Sequence, residues 1–198
     1  MGSGYAAKLY AEEMDPDVEP LDPRNPIYVF NGVFTGTFAP TGCRSSWCGR
    51  SPLTGIWNEA NVGGHIGAEL RKAGVDGVVI VGQAEKPVYI YVHDGTAEIR
   101  DAGGIWGLDT FEAYDQLLEA TDPKARAGVI GPAGENLVRF AAVIQGGREH
   151  SRAAGRGGMG ALLGSKRVKA IVARGKDRPQ YADQQAFMEM VKELNPII

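Results

Sequence analysis

Ser151 to Val172 reads SRAAGRGGMGALLGSKRVKAIV, and an echo of this stretch further upstream decides the fold. Four of the six residues from Gly155 to Gly160 are glycine, with Arg152 and Arg156 in or beside the run. Glycine lets backbone N–H groups turn toward a ligand with no Cβ in the way. A helix start behind such a loop adds free N–H donors and a dipole that favours an anion. The arginines add fixed positive charge and forked donors. The stretch is a candidate cradle for phosphate.

Its echo lies 93 residues earlier. Gly67-Ala68-Glu69-Leu70, followed by Val75, Val78 and Val79, parallels Gly160-Ala161-Leu162-Leu163, followed by Val168, Ile171 and Val172. Gly36 with Arg44 eight residues on parallels Gly131 with Arg139 eight on, at an offset of 95. Each half reads strand, glycine loop, arginine-bearing strand, glycine-rich helix start, strand. A repeat of this kind predicts a duplicated fold. Two related glycine-rich helix starts could present two equivalent anion sites to one two-lobed ligand.

Around these halves, Tyr5 to Met14 reads as a helix closed by Asp15-Pro16, and Asp15 to Pro26 as a proline-rich loop. Strands are expected at Ile27–Phe30, Gly77–Val81 (buried), Ala127–Ile130, Leu137–Ile144 and Val168–Ala173. Thr35 to Thr54 is rich in Gly, Pro, Ser and Thr with β-like residues between, and Val62 to Ala73 reads as a helix with a glycine-rich start. Val88–Val92 and Ala97–Ile99 flank His93-Asp94-Gly95-Thr96, whose Asp-Gly pair marks a hairpin. Thr110–Ala120 is an amphipathic helix, and Asp183–Leu194 is a helix capped by Asp183 and ended by Asn195-Pro196.

Composition narrows the function classes. The 198 residues suffice for one large domain or two small ones, and 43 % hydrophobic with 23 % charged residues is ordinary for a globular protein. The 28 glycines sit in short clusters between β-like runs, as ligand-facing turns would. A net charge of −3 implies no large basic face and no nucleic-acid partner. There is no signal peptide and no apolar run long enough to span a bilayer, so no membrane partner is expected. Cys43 and Cys48, spaced C-x4-C, make no disulfide framework, which points to a reducing, cytoplasmic setting.

Gly155-Arg156-Gly157-Gly158-Met159-Gly160 formally matches G-x-G-x-x-G. A dinucleotide site needs a strand directly before it and an acidic residue about 20 positions on. Here the polar stretch Gly146 to Arg152 intervenes after Leu137–Ile144, and Asp177 follows a Lys/Arg-rich turn. On the residues alone, three readings stay open: a phosphate cradle, a dinucleotide site, and a glycine loop needed only for close packing. Gly164-Ser165-Lys166 has the wrong order for a P-loop, and two cysteines fall short of a metal or cluster site. They read as unpaired, half-buried thiols. His65, His93 and His150 share no ligand spacing, with His93 exposed in the hairpin turn, and no nucleophile elbow occurs. Arg44, within Thr41-Gly42-Cys43-Arg44-Ser45-Ser46, has small neighbours that let a ligand approach.

In chain order, several segments resemble the N-terminal domain of the tungsten-dependent aldehyde ferredoxin oxidoreductases. They are Asn31-Gly32, Thr35-Gly36-Thr37, Pro40-Thr41-Gly42-Cys43-Arg44, Ser51-Pro52-Leu53-Thr54-Gly55 and Asn61-Val62-Gly63-Gly64. Glu69 to Gly77, Gly131-Pro132-Ala133-Gly134-Glu135-Asn136 and Arg152 to Ala161 follow. The match covers nearly the whole chain, residues 1–198, and the ordered set rather than any one motif makes it specific.

The resemblance implies an α+β domain, duplicated, of two β-sheets related by a pseudo-twofold axis with a few packed helices. It implies that the sheets form a saddle under a tungsten (or molybdenum) ion held by two pterin dithiolenes, with Mg²⁺ bridging the pterin phosphates. Backbone carbonyls that reach the magnesium carry over to Asn61 and Ala153, hard oxygens suited to that ion. Arg44 carries over as the arginine between a pterin and the [4Fe–4S] cluster, hydrogen-bonding both. Gly63, Gly64, Arg152, Gly155 and Gly157 would line the pterin and phosphate surface. The cluster's cysteine ligands, the acid/base groups and the aldehyde pocket lie outside this chain. Gly2-Ser3-Gly4 looks like the remnant of a Gly-Gly-Arg-Gly-like segment that a further β-hairpin normally precedes. The expected activity is oxidation of an aldehyde to a carboxylate with ferredoxin as acceptor, by an enzyme of which this is one piece. Its partners would be the remaining domains or subunit, ferredoxin and the aldehyde. Homo-oligomers are a further expectation, since absent first strands would bare a sheet edge. The chain alone is expected to be inactive. The rival readings are a stand-alone metallopterin-binding module and a dinucleotide-binding domain.

Overall fold

Two β-sheets carry one strand order twice. The structure, a computed structural model, describes residues 2–198, so the first residue of the expected 1–198 span lies outside the described residues. The first half runs α1 (Ser3–Glu13), β1 (Ile27–Asn31), β2 (Ser45–Arg50), β3 (Trp57–Val62), α2 (Ile66–Lys72), β4 (Gly77–Ile80). A hairpin, β5 (Val88–His93) and β6 (Thr96–Asp101), intervenes. The second half runs α3 (Thr110–Ala120), β7 (Arg126–Val129), α4 (Pro132–Glu135), β8 (Val143–Gln145), β9 (Arg152–Ala154), α5 (Met159–Ser165), β10 (Val168–Arg174), and α6 (Gln184–Leu194) ends the chain. One sheet is ordered β3-β2-β1-β4 and the other β6-β5-β10-β7-β8-β9. Setting the hairpin aside, the second order repeats the first, and every pairing within both repeats is antiparallel. The duplication read from the 93-residue echo is present in the topology.

Side-chain alternation assigns the faces. Tyr28, Phe30 and Cys48 pack under Ala6 of α1 on one outer face. Tyr89, Tyr91, Val129, Ala170 and Val172 pack under Ala113, Tyr114 and Leu117 of α3 on the other. The inward residues Val29, Trp47, Val62, Ile90, Val143 and Ile171 meet in one core. To that core α2 adds Ile66 and Leu70, and α5 adds Met159, Leu162 and Leu163. The repeat-related glycines Gly67 and Gly160 serve this packing. A Cβ would come 2.8 Å from Asn31 Oδ1 at Gly67 and 2.5 Å from the Ala142 carbonyl at Gly160.

Several expectations shift. Val62 ends β3 and the helix expected from it starts at Ile66, so β3 was unread, while β2 follows directly on Arg44, where the repeat called for an arginine-bearing strand without bounds. Leu137–Ile144 is strand only from Val143, because Leu137 takes a left-handed φ of 58° after α4 and Phe140 points to solvent. The cysteines are free as expected but not both half-buried, since Cys43 is exposed and Cys48 buried. His93 is half-buried rather than exposed and touches Asp94 and Glu98, whose carboxylates raise its pKa.

Gly77–Val81, expected to be buried, instead forms a sheet edge with Val79 and Val81 exposed. In the second sheet β5 covers the equivalent side of β10 with a parallel pairing. Among the described residues no strand pairs with the outer side of β4. An apolar edge without lysine or proline recruits other strands. Val81→Lys is therefore expected to reduce self-association of the chain, read by sedimentation velocity across a concentration series. Equal sedimentation of both proteins at every concentration would show that the edge does not associate.

Lys166, 1 % exposed, donates to the carbonyls of Pro23 (2.8 Å) and Gly82 (3.2 Å), pinning the early loop beneath the strand that follows α5. Burial lowers its pKa from 10.5 to about 8. Between those values the unfolded chain holds a proton that the folded chain has released, so stability rises with pH across that window. Below it the fold carries a buried charge at a cost. Urea midpoints from pH 7.5 to 10 should therefore climb more steeply for the wild type than for Lys166→Met, whose profile lacks this contribution.

Candidate functional site

The two halves meet along β3 and β9, which lie side by side. A cleft of about 600 Å³ opens there, lined by Arg44, Glu59, Ala60, Asn61, Ala153, Gly155 and Arg156. Glu59 and Asn61 alternate along β3 and so share its cleft face. The Glu59 carboxylate accepts from the Asn61 amide and from Ser46 Oγ (3.4 Å). Arg44 is held at the backbone, where its carbonyl accepts from Thr35 Oγ1 at 2.5 Å, while its side chain is exposed. Among the described residues neither Arg44 nor Arg156 pairs with a carboxylate, so both guanidinium groups remain open to an anion. At the start of α2, burial and the charge of Arg126 lower the pKa of His65.

Of the eight residues expected from the sequence, four line this cleft: Arg44, Asn61, Ala153 and Gly155. Asn61 and Ala153 are both exposed, one from each half. Gly63 and Gly64 continue from β3. Gly64, at φ 104°, rests against the second half, where a Cβ would come 3.2 Å from Gln145 Oε1 and 3.8 Å from Arg152 Cγ. Arg152 therefore borders the seam. Gly157 sits apart from the lining, beneath Asn58, with its carbonyl taking the Ser51 hydroxyl at 2.7 Å. Arg139, the repeat counterpart of Arg44, also lies off the cleft. Glu59 and Ala60 carried no sequence signal because β3 was not read, and Gln145 lies one residue beyond the expected end of the strand at Leu137–Ile144. Arg156 was visible only as part of the glycine run.

A strand does precede the G-x-G-x-x-G match, contrary to the sequence reading, since β9 ends at Ala154. Yet β9 and the strand after α5 are not neighbours: β7 and β8 separate them. A dinucleotide fold needs adjacent parallel strands joined by the helix. The topology removes that reading. Within the match, Gly157 and Gly160 serve close packing, and Gly155 faces the cleft.

The donor set suits a ligand with anionic and cation-bearing parts. Two arginines suit anions, and the exposed Asn61 and Ala153 bring strand backbone from both halves to the lining, where a hard cation would need oxygen donors. Among the described residues no cluster of His, Cys, Asp and Glu could hold a metal by side chains alone. No helix is long and apolar enough to cross a membrane.

Comparison with known proteins places the chain in a family. Residues 1–175 match the family model for the aldehyde ferredoxin oxidoreductase N-terminal domain. The chain is 50 % identical over 191 residues to a tungsten-containing aldehyde ferredoxin oxidoreductase of Pyrococcus furiosus, covering 96 % of this chain and 31 % of that protein. It is 35 % identical to the WOR-like subunit of an aliphatic sulfonate oxidoreductase of the same organism, covering 89 % of this chain and 30 % of that one. Among solved structures, the active-site complex BamBC of benzoyl coenzyme A reductase, with 1,5-dienoyl-CoA, superposes at a TM-score of 0.94 and 33 % identity, over 98 % of this chain and 29 % of that one. The chain thus spans less than a third of these relatives. It belongs to the aldehyde ferredoxin oxidoreductase family, an oxidoreductase family, and corresponds to its N-terminal domain.

Proposed function

We propose that the cleft between β3 and β9 is the base on which a tungsten (or molybdenum) bis-pterin rests. The whole enzyme would oxidise an aldehyde to a carboxylate, and ferredoxin would take the two electrons. The observation that carries this reading is the pairing across the seam: Asn61 from one half and Ala153 from the other line one cavity together with unpaired arginines. A duplicated site suits a ligand with two phosphate-bearing halves. The carbonyls of Asn61 and Ala153 would hold Mg²⁺ between those phosphates. Arg44 would bind a pterin edge and, on its far side, reach toward a [4Fe–4S] cluster held by cysteines outside this chain. Gly63, Gly64 and Gly155 would supply close backbone approach, Arg152 would add charge at the seam, and Gly157, packed beneath Asn58, would only shape the loop that carries Gly155. When bound, the metallopterin supplies the two-electron redox chemistry, while the protein supplies binding, orientation and electrostatics.

The fit is supported by the chemistry of the lining. It offers hard oxygens and guanidinium groups and no thiolate among its seven residues. The remaining domains or subunit of the enzyme would close over the cleft, in a soluble cytoplasmic setting. The test uses the purified 198-residue chain in two assays. With aldehyde and a viologen dye it should give no turnover, and robust turnover would overturn its role as a base lacking the catalytic groups. In a thermal-shift assay, a molybdopterin phosphate with Mg²⁺ should raise the melting temperature and NAD should not. A shift with NAD alone would overturn the pterin reading.

A further inference from the structure

Gln145, on β8, is 1 % exposed, yet neither its amide nitrogen nor its amide oxygen has a hydrogen-bond partner. Folded proteins rarely leave both ends of a buried amide unfilled. Its surroundings suggest what it waits for. The β8–β9 register sets Gln145 directly opposite Arg152, so the two side chains lie on one face. Gly64 of the other half is wedged against both, nearest Gln145 Oε1. The Arg152 guanidinium, meanwhile, makes one hydrogen bond, to its neighbour's carbonyl at Ser151 (2.9 Å), and no ion pair among the described residues. An acceptor without a donor thus lies on the same sheet face as an arginine whose five-donor group is nearly unused.

We propose that Gln145 is a positioning residue for Arg152. When a phosphate group enters the cleft, the guanidinium leaves the Ser151 carbonyl and turns to lie between the phosphate and Gln145 Oε1. The amide then fixes the plane of the arginine fork, and with it the angle at which the fork meets the anion. The seam in this way reads the presence of a phosphate on the second half's side. This inference rests on the cleft being a phosphate site.

Calorimetric titration of the 198-residue chain with inorganic pyrophosphate in Mg²⁺ buffer, alongside thermal unfolding without ligand, tests both. Gln145→Leu keeps the side chain's bulk and removes both unfilled groups. Its free form is expected to melt about 2–4 °C higher. Its pyrophosphate affinity is expected to fall about tenfold. Because Gln145 acts through Arg152, Gln145→Leu with Arg152→Ala should bind no more weakly than Arg152→Ala alone. Should the leucine variant fail to fold, Gln145→Glu serves instead: its carboxylate would hold Arg152 in the free chain and also weaken anion binding. Unchanged affinity in the Gln145 variants, or losses that simply add in the double variant, would overturn the proposal. So would a lower melting temperature with unchanged affinity, which marks an amide bridged by structural water. A wild-type chain that does not bind pyrophosphate would sink the phosphate reading itself, and this inference with it.

Discussion

Lys169→Met is expected to destabilise the fold by about 3–5 kcal/mol, the usual cost of removing one partner from a buried ion pair. Lys169 and Glu135 are 0 % and 4 % exposed and in direct contact. Lys169 also donates to the Leu108 carbonyl at 2.8 Å, and Glu135 accepts from the Gly107 amide at 2.9 Å. One charge pair therefore ties β10, α4 and the loop ahead of α3 together. Removing the amine leaves a carboxylate in the core with a single backbone donor. Removing both charges, as in Lys169→Met with Glu135→Leu, leaves no orphan and should lose far less than the two single variants combined. Urea unfolding of the four proteins decides it. Additive losses would mean that the two groups do not depend on each other.

Gly158→Ala is expected to cost about 2–5 kcal/mol and to loosen the cleft. Gly158 holds a left-handed φ of 82°, and a Cβ there would sit 2.0 Å from the Arg139 carbonyl oxygen. The left-handed conformation costs an alanine about 1–2 kcal/mol, and overpacking typically adds about 1–3 kcal/mol. Backbone cannot step aside as a flexible side chain can, so the shift must fall on the loop from Gly155 to Gly158. That loop carries the cleft residues Gly155 and Arg156. The variant should therefore unfold at lower urea and, where still folded, bind pyrophosphate more weakly. Gly82→Ala is the control for strain alone, because Gly82 shares a positive φ of 88° with nothing near its Cβ. Equal losses in both variants would show that the Arg139 contact carries no weight.

Legibility in the sequence followed the physical role of each segment. The α3 helix was readable because an amphipathic face and a turn set its limits, with Asp109 accepting from Phe111 and Glu112 at its start. The hairpin was readable because Asp94 and Gly95 both take positive φ. The duplication was readable because Gly67 and Gly160 meet the same packing demand twice. By contrast, β3 and β9 escaped notice, and β2 was read only as an unbounded arginine-bearing strand, for the reason that makes the site. Ser45, Ser46, Asn58, Glu59, Asn61 and Arg152 are polar or small where strands at the seam meet a cleft or a loop, so the apolar alternation is gone. Of the four site residues that line the cleft, Arg44 and Gly155 were visible in the pattern, through small neighbours and the glycine run, while Asn61 and Ala153 were placed through family likeness. Lys166 and Lys169 gave no sign of their burial, since a lysine's buried partners are not visible until the fold is known. Those partners, Pro23, Gly82, Leu108 and Glu135, lie far off along the chain.

Because Val29, Trp47, Val143 and Ile171 from both sheets interlock in one core, the halves cannot part like jaws to admit a guest. Trp47 reaches across until its ring lies 3.0 Å from where a Gly128 Cβ would be. The seam is thus a finished seat before anything sits in it. If the seam does seat the proposed metallopterin, it would admit that group only from the open side of the cleft, and any domain that covered this side first would leave a correctly folded seat with nothing in it.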